Sequence, residues 1–167
     1  GGTEFANWLK AQGDAGIVSP SITGDIAKQK FLDGAAAYTV TGPWNVAAFR
    51  AAGMKVSVLP VPAAGSQAAQ PFVGVQMFYQ SSKTQNQVLV SKFFQYLETK
   101  EAQSKLQELG GRVPAMTEVA NSLSDENLKQ FATIAGNGLP MPAIPAMGSV
   151  WDYWGKHEVS IVNGADT

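Results

Sequence analysis

Ala36-Ala37-Tyr38-Thr39-Val40-Thr41-Gly42-Pro43-Trp44-Asn45-Val46-Ala47-Ala48-Phe49-Arg50-Ala51-Ala52-Gly53 is the stretch on which the fold class turns. Residues 36–41 are small and β-branched around Tyr38, and predict a strand. Gly42-Pro43 breaks it, because proline has no N–H for a ladder and fixes φ. Trp44 to Ala52 then predicts a helix, closed by Gly53.

The same alternation extends outward. Upstream, Phe5, Trp8 and Leu9 have helical spacing and Gly13 or Gly16 ends that helix, while Thr23 caps a second that carries Ile26, Ala27, Lys30 and Phe31 up to Gly34. Downstream, Val56 to Leu59 predicts a strand stopped by Pro60 and Pro62. Residues 63–71 read as a polar loop, and Phe72 to Gln80 as a third strand. Thr84-Gln85-Asn86-Gln87 has the spacing of a capping box before an apolar stripe of Leu89, Val90, Phe93, Phe94 and Leu97. Thr99 caps a helix ended by Gly110-Gly111, and Ser124 is read as the cap of another with Leu128, Phe131, Ala132 and Ala135 on one side. Three prolines in Leu139-Pro140-Met141-Pro142-Ala143-Ile144-Pro145 predict a stiff extended segment that is neither helix nor central strand. A final helix starts near Gly148. Alternating strands and helices make the class α/β.

Composition removes several functions. Twelve Lys+Arg against thirteen Asp+Glu leave a net charge of -1, where a protein that neutralises phosphates needs a basic excess, so nucleic acid is not an expected partner. There are no cysteines and a single histidine, His157, which disfavours thiolate or multi-histidine metal sites and a hydrolytic triad; no metal or cofactor is expected. With 45% hydrophobic residues the chain can pack a core, yet no apolar run approaches the ~18 residues of a membrane span. The chain opens Gly1-Gly2-Thr3-Glu4 and is read as a piece of a longer polypeptide, with any anchor lying outside it.

Four side chains stand out as candidate ligand contacts. Trp44 follows a strand end and precedes a helix, the edge at which open α/β sheets bind ligands, and its flat apolar face suits the C–H side of a sugar ring. The alternative is a tryptophan that closes the core. Trp151-Asp152-Tyr153-Trp154 places an aromatic plate beside a carboxylate able to accept hydroxyl hydrogen bonds, although a protein or membrane-interface contact would use the same residues. Arg112, in the turn after Gly110-Gly111, is a polar ligand contact or a solvated arginine. Asp33, Glu98, Glu101, Glu108, Glu118, Asp125 and Glu126 sit near helix ends or on polar faces with no acid–base pair evident, and no glycine-rich phosphate loop is present.

In order along the chain, Phe31-Leu32-Asp33-Gly34, Thr41-Gly42-Pro43-Trp44, Val58-Leu59-Pro60, Pro71-Phe72-Val73-Gly74-Val75 and Met141-Pro142-Ala143-Ile144-Pro145-Ala146-Met147 followed by Trp151 form a collinear set. With it the chain resembles the back half of the maltose-binding-protein-like extracellular solute-binding proteins (family 1) of sugar ABC transporters. The resemblance implies a periplasmic-binding-protein-like (type II) fragment, mostly the C-terminal lobe with a segment that crosses into the N-terminal lobe. Residues 1–70 and 122–167 would belong to the C-terminal lobe, the latter truncated, and 71–121 to the hinge and N-terminal lobe. It further implies that Trp44 and Trp151 stack on glucose rings, that the protein is not an enzyme, and that it works outside the cytoplasm, periplasmic or as a cell-surface lipoprotein, with permease subunits as partners. Asp152 stands where maltodextrin binders carry a second aromatic, and Gly155 where they can carry an arginine. Maltose, a maltodextrin, trehalose or another α-glucoside therefore all remain open as ligands. The rival readings are a carbohydrate-processing enzyme domain and a solute-binding protein for a non-sugar ligand.

Overall fold

The computed structural model describes residues 1–63 and 65–165. Helices dominate: α1 (Gly2–Asp14), α2 (Gly24–Leu32), α3 (Val46–Ala51), α4 (Gln87–Leu97), α5 (Lys100–Gly110), α6 (Thr117–Asn121), α7 (Glu126–Ala135) and α8 (Ala146–Val162). Among the described residues two short strands, β1 (Phe72–Val73) and β2 (Leu139–Pro140), pair in parallel with Phe72 opposite Leu139. A parallel pair needs a long crossover. Helices α4 to α7 supply it.

The chain divides into two compact units, Val40–Met141 and the combination of Gly1–Thr39 with Pro142–Thr167. The boundaries expected at 70/71 and 121/122 concern the lobes that the family resemblance implies and are a different division.

Within the discontinuous unit, α1 packs on α8. Gly13 permits the approach, since a Cβ there would lie 2.8 Å from the Val162 carbonyl oxygen. Phe5 stacks on Trp8 with ring centroids 6.0 Å apart and meets Trp154 at the same separation, while Leu9 is buried. Thr23 caps α2 by accepting from the Ile26 N–H, as its sequence position predicts.

The continuous unit has its core beneath α3. Val46 and Phe49, one turn apart, face inward, and Ala102, Val119 and Leu128 from the later helices are also buried, as is Leu123 between α6 and α7. Arg50 ties α3 to α7 through a two-pronged ion pair with Asp125, whose Oδ1 also caps α7 by accepting from the Asn127 and Leu128 N–H groups. That guanidinium, together with the two backbone donors, holds the Asp125 carboxyl down to about 2 from 3.8. A carboxylate whose pKa falls on folding adds stability above its unfolded value and loses it as pH drops through the folded value. The window is pH 4 down to 2. Because the Arg50 side chain is 46% exposed and that of Asp125 24%, solvent screening reduces the contribution to about 1 kcal/mol. Urea unfolding of the parent and of Asp125→Asn at pH 5 and pH 2.5 should show the parent alone losing this increment. Equal losses in both proteins would contradict it.

Several local expectations are corrected. Residues 36–41 and 56–59 form no strand, and 72–80 contributes only Phe72 and Val73. A strand has no hydrogen bonds of its own and needs a neighbour, and among the described residues only β1 and β2 find one. Pro140 itself lies in β2, which is tolerable because a two-stranded sheet is all edge. Thr84 does not cap α4. Its hydroxyl accepts from the Asn86 N–H in a local turn, and the helix starts at Gln87. Asp125, not Ser124, caps α7. Helix α8 starts at Ala146, two residues before Gly148, and α6 had no forecast. Thr99 does cap α5, and Gly111 closes it in the left-handed region at φ 59°, where a side chain would be strained.

Candidate functional site

Trp44 sits in a 3₁₀ turn, Pro43–Asn45, that runs directly into α3. Proline at the first position suits such a start, because its missing N–H would have had no partner there. Asn45 Nδ2 donates to Thr41 Oγ1 at 2.8 Å and so bridges the turn from one side to the other. The indole between them is 58% exposed, which removes the reading of Trp44 as a core residue of this chain. Its benzo ring leans on the buried Gly42.

Arg112 reaches the same ring. Its guanidinium carbon stands 5.9 Å from the centroid of the Trp44 ring, within the range in which a cation is drawn to the electron-rich indole face. The half-buried Arg112 follows directly on Gly111, the left-handed C-cap of α5. Two of the four candidates are therefore neighbours, although they lie far apart in sequence. The result is an indole with a large open surface and, over its ring, a guanidinium with five N–H donors, a pairing suited to a ring that is apolar on one face and hydroxylated at its rim.

Trp151 and Asp152 belong to α8, in the other compact unit. Trp151 is 55% exposed and Asp152 is exposed as well. Successive helical positions differ by about 100°, so the indole and its neighbouring carboxylate project in different directions. Trp154, one turn on from Trp151, donates its indole N–H to Glu158. Together with Phe5, Ala6, His157 and Ile161 these two residues line a shallow, mainly apolar groove of about 200 Å³. Reading the sequence for ligand contacts did not single out Phe5, Trp8 or Glu158. The spacing of Phe5 and Trp8 is helical, but nothing in it tells which element the pair will face.

Among the described residues no group of three histidine, aspartate or glutamate side chains is placed to hold a metal ion. Among the described residues no helix is long and apolar enough to cross a membrane.

The family model of the bacterial extracellular solute-binding proteins matches residues 1–152. The chain is 28% identical over 152 residues to the maltodextrin-binding protein MdxE of Bacillus subtilis, covering 86% of this chain and 36% of that protein. It is 29% identical over 145 residues to the maltotriose-binding protein of Pyrococcus abyssi, covering 80% and 31%. Among solved structures, the maltose-maltodextrin binding protein of Alicyclobacillus acidocaldarius superposes with a TM-score of 0.80 at 26% identity over 95% of this chain and 46% of that one. The fold is thus that of a periplasmic-binding-protein-like α/β fragment, and the chain spans about a third of the length of these curated relatives.

Proposed function

Because the chain belongs to the family of bacterial extracellular solute-binding proteins, we propose that the polypeptide carrying it is the non-catalytic, extracytoplasmic receptor subunit of an ABC importer for an α-linked gluco-oligosaccharide such as maltose or a maltodextrin. The observation that carries this reading is the Trp44 indole, exposed over more than half its surface with Arg112 at the ring. A pyranose stacked on that face would bury its C–H side against the indole while its hydroxyls accept from the guanidinium. Trp151 is assigned a second stacking surface and Asp152 an acceptor for sugar hydroxyls. Residues 1–70 and 122–167 are assigned to one lobe and 71–121 to the hinge and the other. Sugar contacts that are better in the closed form drive closure of the two lobes as a shift in population, and permease subunits receive the loaded form. The receptor is periplasmic or a cell-surface lipoprotein, and any membrane association is through an anchor outside these residues.

The test uses the full-length polypeptide. Maltose, maltotriose and trehalose are titrated while tryptophan emission is followed, and the maltotriose mixture is then assayed for free glucose. Saturable quenching or a blue shift with no glucose released is the expected result. Released glucose would establish the carbohydrate-processing alternative, and indifference to all three sugars would leave a receptor for a non-sugar solute.

A further inference from the structure

Gly42 has φ -107° and ψ -176°, extended backbone that any residue adopts. Its identity is therefore not required by dihedral freedom. It is required by the indole two residues on: a Cβ at position 42 would lie 2.6 Å from Cε3 of Trp44 and closer still to Cζ3 and Cη2. Carbon atoms pack at about 3.5–4.0 Å. The ring consequently rests on glycine backbone, where no other residue leaves space for it.

Two further contacts act on the same segment. The 2.8 Å bond from Asn45 Nδ2 to Thr41 Oγ1 ties the residues on either side of Gly42-Pro43-Trp44 together, and Pro43 has a ring-locked φ. Arg112 bears on the ring itself. We propose that Gly42, braced by the Thr41–Asn45 bond, is a positioning residue that mounts the Trp44 indole in its ligand-ready orientation before any ligand arrives. The inference rests on the sugar-stacking role given to Trp44 above and adds how that plate is held. Preorganisation of this kind removes the cost of ordering a large side chain at the moment of binding.

Gly42→Ala relieves the overlap most easily by swinging the indole, which is largely in solvent, and leaves the buried Val46 and Phe49 in place. The experiment labels the full-length protein with 5-fluorotryptophan and assigns the Trp44 fluorine resonance from its loss in Trp44→Phe. In Gly42→Ala without sugar that resonance should move or broaden while those of Trp8, Trp151 and Trp154 stay. Affinity for maltotriose should fall about tenfold, with the melting temperature little changed. Thr41→Val, which removes the bracing bond at almost constant volume, should act in the same direction and serves if the alanine variant does not fold. An unmoved resonance in both variants, or a moved one with affinity intact, overturns the proposal. A parent protein indifferent to maltose and maltotriose would sink the sugar reading alone, because the fluorine resonance judges the mount with no sugar present.

Discussion

Trp44→Ala in the full-length protein should weaken maltotriose binding by more than about tenfold, a loss of at least about 1.4 kcal/mol, while thermal unfolding stays close to that of the parent. The asymmetry follows from exposure. An indole 58% open to water contributes little to the core, so truncating it creates no cavity. What disappears is the apolar face offered to a sugar and the surface against which the Arg112 guanidinium rests. Isothermal calorimetry and differential scanning calorimetry on the same preparation separate the two effects. Unaltered affinity would show that sugar stacks elsewhere. A large drop in melting temperature would show that the ring is a structural prop.

Phe49→Ala should do the opposite. This ring is 3% exposed on the inward face of α3, directly after the turn that carries Trp44. Deleting a buried phenyl removes its transfer free energy and leaves a void, typically about 3–5 kcal/mol together. Helix α3 has only six residues and cannot persist on its own hydrogen bonds, so its position depends on that packing and on the Arg50–Asp125 pair. The expected outcome is a fall in melting temperature of about 10 °C. Sugar affinity should be lost together with folded protein in the same titration. A variant as stable as the parent would mean that Phe49 is not the anchor of this helix.

Features that depend on neighbours a few residues away were legible in the sequence. Thr23 and Thr99 each cap the helix that their position announces, because a capping hydroxyl needs only the N–H three residues on. The break at Gly42-Pro43 and the helix behind it were legible for the same reason. Strands were not. Residues 36–41 and 56–59 carry the right residue types, but a strand exists only where another stretch of chain supplies donors and acceptors. Of Ser124 and Asp125, the residue that caps α7 is the one that also pairs with an arginine 75 positions away, a partner not visible from the local sequence. The meeting of Arg112 with Trp44 is equally non-local. As for Gly42, a glycine before proline reads as a plain chain break. Nothing in the letters tells that an aromatic ring will lie on it.

The discontinuous unit carries a timing consequence. Helix α1 closes on α8, its partner from the far end of the chain, and the whole continuous unit lies between them in sequence. At a synthesis rate of about 5–20 residues per second, α1 leaves the ribosome on the order of 10 s before α8 exists. Phe5, Trp8 and Leu9 wait through that interval without the surface they will pack against. The continuous unit needs nothing made later and can complete itself first. Nascent chains halted before α8 should therefore recruit holdase chaperones through α1, and release them once α8 has cleared the ribosome and packed on it.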